Sequence, residues 1–138
     1  MCLTDGLPVL ATDLNENSLK KCKYPPKFRT RLFREVPLKY QHYLQEDNGS
    51  FIQRFSDNIT IQKLDLLYDE YPQNQHLILC RNIIKWFERK ETIPKVKQKL
   101  IDSLVIGGYL FVGTDKYEKL DPSIYPIKEI APYIYQKI

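Results

Sequence analysis

The feature that most constrains the fold is a strand–helix–strand signal in the second half of the sequence. His76-Leu77-Ile78-Leu79-Cys80 is a continuous apolar run bounded by polar residues, the pattern of a strand covered on both faces. Downstream, Ile93, Val96, Leu100 and Leu104 recur at helical spacing, with Lys95, Lys97, Lys99 and Asp102 between them. That is an amphipathic helix packing one face on a sheet. Thr92 is placed to cap it, and Pro94 falls in the first turn, where a missing N–H does no harm. Gly107-Gly108 is suited to the positive φ of a helix C-cap, and Tyr109-Leu110-Phe111-Val112-Gly113 reads as the next strand. Apolar strands alternating with a helix argue for an α/β layered sheet.

The rest of the chain extends this alternation. Pro8 to Asp13 is a short apolar run with a polar end, followed by Asn15-Glu16-Asn17-Ser18 and a weakly helical Leu19 to Cys22, which predicts strand, turn and helix start. Pro25-Pro26 stops that helix. Between Lys27 and Asn58 the periodicity loosens: Val36-Pro37 marks a helix or turn start, and Asp47-Asn48-Gly49-Ser50 a turn between two short segments. A small antiparallel excursion with one helix fits. Ile59 to Leu64 alternates like a half-buried edge strand, one that need not neighbour the Leu77 strand, and Tyr133 to Lys137 closes the chain as a last strand.

Composition narrows the class. With 138 residues, 43% hydrophobic and 28% charged, the chain is globular and is expected to form one domain. Its amino terminus lacks the pattern of an export signal, and no apolar run approaches the ~20 residues that span a bilayer, so a cytoplasmic protein is expected. Cys2, Cys22 and Cys80 are odd in number, and His42 and His76 lie far from them, which disfavours a disulfide framework or a metal site. The net charge of +4 is uneven, since Lys20, Lys21, Lys23, Lys27, Arg29, Arg31 and Arg34 fall in one stretch without acids. A solvated surface is the favoured reading of that stretch, and nucleic acid is a disfavoured partner.

Ligands of open α/β sheets bind beyond the carboxyl ends of the strands, and three groups of candidates sit there. Asp13 offers a carboxylate that can accept from both hydroxyls of a ribose, or merely bond the turn backbone. Asp65 can accept from an exocyclic amine while Leu66 covers a purine ring, or be a loop acid. Arg81 and Asn82 offer forked donors and an amide for orienting a carboxylate, or Arg81 pairs with a surface acid.

The run Leu77-Ile78-Leu79-Cys80-Arg81-Asn82-Ile83-Ile84-Lys85-Trp86-Phe87, followed after a helix by Leu104-Val105-Ile106-Gly107-Gly108-Tyr109-Leu110-Phe111-Val112-Gly113, resembles the CheR-type chemotaxis methyltransferases. Leu10 to Leu14 is similar to their second strand, and Ile61 to Leu67 with Tyr71-Pro72 to the segment entering their adenine-binding turn. The likeness implies an incomplete Rossmann-like class I methyltransferase sheet. Residues 1–138 would be one partial domain, with 27–58 as an inserted antiparallel β-subdomain. The implied reaction is methyl transfer from S-adenosylmethionine to glutamate side chains on chemoreceptor helices, leaving S-adenosylhomocysteine. Asp13 would hold the ribose, Asp65 and Leu66 would flank the adenine, and Arg81, Asn82 and Trp86 would lie near the methionine end and the incoming glutamate.

The chain also departs from the family pattern. The first strand and its Ser-Thr-Gly-Glu-Glu loop would precede Pro8, as would a helical amino-terminal domain, so the sheet is expected to lack the strand between those ending at Asp13 and Cys80. Trp86 stands where the family has tyrosine, His76 where it has aspartate, Val105-Ile106 for Lys-Pro, and Gly113-Thr114-Asp115-Lys116 for Gly-His-Ser-Glu. A truncated, catalytically inactive relative acting as a binding or regulatory module is the alternative these departures raise.

Overall fold

The structure, a computed structural model, describes residues 8–23, 28–29, 37–41, 44–47, 50–53 and 59–138, with side chains described for 8–20, 37–39 and 59–138. It divides into two units, Met1–Asp65 and Leu66–Ile138. The first unit contains β1 (Val9–Asp13), α1 (Glu16–Lys23), β2 (Phe28–Arg29), α2 (Leu38–Gln41), β3 (Leu44–Asp47), β4 (Ser50–Gln53) and β5 (Ile59–Lys63). β1 and β5 run parallel in a two-stranded sheet, in register from Val9 against Ile59 to Asp13 against Lys63. Asn15 starts α1 as expected of a cap, its Oδ1 accepting from the Asn17 N–H at 2.8 Å while its carbonyl accepts from Leu19.

β2, β4 and β3 form an antiparallel sheet in that order, and α2 follows Pro37 directly. The Pro25-Pro26 stop, the Asn48-Gly49 turn tip and Lys27, Arg31 and Arg34 of the basic stretch lie outside the described residues.

The second unit contains β6 (Gln75–Cys80), two single helical turns at Ile84–Trp86 and Lys90–Thr92, α3 (Ile93–Asp102), β7 (Leu104–Val112), β8 (Ile127–Ala131) and β9 (Ile134–Lys137). Its sheet has the order β6-β7-β9-β8, with β6 and β7 parallel and the remaining pairs antiparallel. α3 packs on β7 and buries Ile93, Val96, Leu100 and Ile101, while Cys80, Leu110, Val112 and Tyr135 are buried on the sheet. Each fully buried aliphatic side chain contributes about 1.5–3 kcal/mol relative to exposure.

Three local expectations are corrected. β6 is not covered on both faces: Cys80 is buried, but Leu77 and Leu79, on the alternate parity, are each 52% exposed. Gly107 and Gly108 do not cap α3, which ends at Asp102 with Ser103 behind it; they lie inside β7. There Gly107 takes φ +81° where the register with β6 shifts, and a Cβ on Gly108 would stand 2.9 Å from the Val105 carbonyl and 3.0 Å from that of Gln75. Positive φ and close backbone approach are what a bulge demands of glycine. Leu104 accordingly begins the strand instead of continuing the helix.

Thr92 holds the cap position, but its hydroxyl donates backward to the Arg89 carbonyl at 2.7 Å and makes no cap hydrogen bond.

Candidate functional site

Parallel pairing puts the carboxyl ends of β1 and β5 on one side of their sheet. Asp13 closes β1, and its carbonyl accepts from the Leu64 N–H at 3.2 Å, so Asp65 leaves the partner strand at that same end. The exposed Asp13 side chain also shapes the turn into α1, with Oδ1 accepting from the Asn15 N–H at 2.8 Å. Its turn-bonding reading is therefore observed on one carboxylate oxygen. Asp65 is half-buried. Leu66 opens the second unit, where its carbonyl accepts from the Tyr71 hydroxyl at 2.6 Å; Lys99 lies over the Tyr71 ring at 4.5 Å and donates to the Asp69 carbonyl, fastening this turn to α3.

The second set of strand ends is built around β6 and β7. Arg81, the first residue after β6, is exposed and stacks its guanidinium 4.9 Å from the centroid of Phe111 on β7, an attraction between cation and ring face. Asn82 follows at φ +59°, a left-handed conformation that asparagine tolerates better than most residues. Its Oδ1 accepts from Lys85 Nζ at 3.3 Å. Trp86, in the helical turn after it, is 75% exposed, with Lys85 Nζ 5.4 Å from its ring. Arg81, Asn82 and Trp86 thus share one short segment, as the sequence order requires.

One residue of this region escaped the sequence reading. Glu118 is fully buried, and its carboxylate accepts from the Asn82 N–H at 2.9 Å and the Gly113 N–H at 2.6 Å, with the Lys85 N–H at a long 3.5 Å. In sequence it sits among Asp115, Lys116 and Lys119 and looks like part of a solvated loop. The one signal was Gly113, whose missing side chain makes room for that carboxylate.

Beside it, burial pushes the Cys80 thiol up to about 12, and the charge of Glu118 adds to the effect. A thiol so disposed to stay protonated is a packing group and not a nucleophile.

Each unit thus has parallel strands with polar groups at their carboxyl ends, acids in the first and a guanidinium and an amide in the second, where α/β proteins bind ligands, and a crossover helix joins β6 to β7. The model of the family described as CheR methyltransferase, SAM binding domain, matches residues 3–125, and the chain belongs to that family. S-adenosylmethionine is the cofactor of this family's domain. The chain is 30% identical over 132 residues to a chemotaxis protein methyltransferase of Listeria monocytogenes, covering 94% of this chain and 49% of the relative. A chemotaxis protein methyltransferase of Borreliella burgdorferi is 27% identical over 134 residues, covering 94% and 46%. The chain therefore spans about half the length of these relatives. The strand-end groups fit the cofactor chemically, since an exposed carboxylate suits a sugar diol and an exposed guanidinium suits an amino-acid carboxylate. No helix among the described residues is long and apolar enough to cross a membrane.

Proposed function

We propose that this chain forms the carboxy-terminal part of a cytoplasmic S-adenosylmethionine-dependent methyltransferase that esterifies glutamate side chains on chemoreceptor helices. The observation that carries the reading is the placement of acids, guanidinium and amide at the carboxyl ends of parallel strands, in a chain of the CheR family. Asp13 accepts from the ribose hydroxyls, Asp65 accepts from the adenine amine, and Leu66 covers the ring. Arg81, held on Phe111, pairs with a carboxylate, and the Asn82 amide orients the incoming glutamate. Trp86 offers an N–H donor and an apolar wall beside that glutamate, in place of a hydroxyl.

The cofactor brings a methyl group already activated on a sulfonium, so the chain's residues have to align and desolvate the acceptor. Glutamate is ionised at neutral pH and needs no strong base. The family match and the names of the relatives do not favour the alternative of an inactive binding module.

The sheet is proposed to be an incomplete class I methyltransferase sheet, in one partial domain with residues 27–58 as an inserted subdomain. The first strand and its glycine-bearing loop would come from sequence outside these 138 residues. Calorimetry with S-adenosylhomocysteine tests both parts. The chain alone is expected to bind weakly. Joining it to the first-strand and loop segment of the Listeria relative should tighten binding by at least about tenfold, ~1.4 kcal/mol, and Asp13→Asn should weaken it again. No binding by the joined protein would sink the cofactor reading; tight binding by the chain alone would sink its incompleteness.

A further inference from the structure

Glu118 has no part in the chemistry proposed above, yet it is a fully buried carboxylate at the carboxyl ends of the two parallel strands of its unit. Its amide donors belong to different strands: Asn82 and Lys85 follow β6, and Gly113 follows β7. A buried carboxylate is tolerated only when donors replace its water, and charge-assisted hydrogen bonds from N–H groups are short and strong. Gly113 is the matching half of the arrangement. A Cβ there would overlap Glu118 Oε2 and stand 2.8 Å from the Asn82 nitrogen and 3.0 Å from its Oδ1.

With φ at +59°, Asn82 occupies a left-handed conformation that asparagine tolerates but that still costs free energy relative to ordinary backbone, so a bond that favours it sharpens the turn. The bond from its N–H to Glu118 does so. The loop also lacks the glutamate that the resemblance places three residues after the glycine; the acid that reaches the strand ends is Glu118, five residues after Gly113.

We propose that Glu118 is a positioning residue: by bridging the ends of β6 and β7 it locks the left-handed turn at Asn82 and so fixes the directions of the Arg81 guanidinium and the Asn82 amide. Its meaning for catalysis rests on the function proposed above. Glu118 touches no reacting group, because it is enclosed by protein and engaged with backbone donors.

The test is amide hydrogen exchange and side-chain NMR of the full chain without cofactor, in the native sequence and in Glu118→Gln. Natively, the Asn82 and Gly113 amides should be protected like those of β7, and Arg81 should show the ring-current shift of Phe111. In Glu118→Gln, exchange at these two amides should accelerate about tenfold or more, as loss of a charge-assisted bond implies, and the Arg81 shift should average out. The amides of Leu110 and Tyr135 should keep their rates. An unchanged Arg81 shift, or unchanged exchange at Asn82 and Gly113, overturns the proposal. Should the variant fail to fold, the native rates decide, since loop-like exchange at either amide also overturns it. Neither readout needs cofactor, so a failed cofactor titration counts against the functional reading alone.

Discussion

Cys80 and Gly113 show how closely the second unit is fitted at the scale of single residues. The folded Cys80 thiol keeps its proton to about 12, whereas the unfolded thiol releases it near 9.0. Between those values the unfolded state binds fewer protons, so the stability linked to this group is full below pH 9.0 and is lost as pH rises toward 12. The slope should reach roughly 1.4 kcal/mol per pH unit at most. Urea denaturation on either side of that threshold, with Cys80→Val as the control that lacks the slope, measures it. A native slope equal to that of the control would contradict the burial. Gly113→Ala should cost about 2–3 kcal/mol, because its Cβ meets Glu118 and the Asn82 backbone, and overpacking against fixed atoms costs on this order. Asp13 and Arg81 were legible from their places after apolar runs. Glu118 was not, because two of its three amide donors, Lys85 and Asn82, lie 33 and 36 residues away.

Strands and helices followed their sequence periods closely where the period was strong. The spacing of Ile93, Val96 and Leu100 predicted α3, and the alternation of Ile59 to Leu64 predicted β5, which ends at Lys63 and pairs on one side, with β1, among the described residues. Gly107-Gly108 misled, because a helix end and a strand bulge make the same request for positive φ, and the local sequence does not distinguish them. β8 was missed: it joins β9 through Tyr133 at φ +64°, a conformation that tyrosine does not advertise. The bulge carries its own prediction. Gly107→Ala should cost about 1 kcal/mol through its dihedral alone, with nothing nearer its Cβ than Gln136 Nε2 at 4.0 Å. Gly108→Ala should cost more, about 2 kcal/mol, since the obstructing atoms are backbone. Thermal denaturation of the two variants gives the order, and the reverse order would refute the bulge as described.

For the whole molecule, the sheet of the second unit is covered by α3 on one side and leaves Leu77, Leu79 and Ile106 exposed. Exposed apolar residues on parallel strands favour association. Sedimentation velocity should show the chain self-associating as concentration rises, and Leu79→Lys should reduce this without lowering the melting temperature; no change in association would remove Leu79 from the contact. The sequence by itself determined the α/β alternation, the strands of strong period and the polar residues at their ends, because periodicity and strand termination are local properties. Only the tertiary structure decided that Gly107 and Gly108 form a bulge, that β6 is covered on one face and that Glu118 ties two strand ends together. Each of these depends on which distant segments meet, and contacts across dozens of residues leave no local pattern to read.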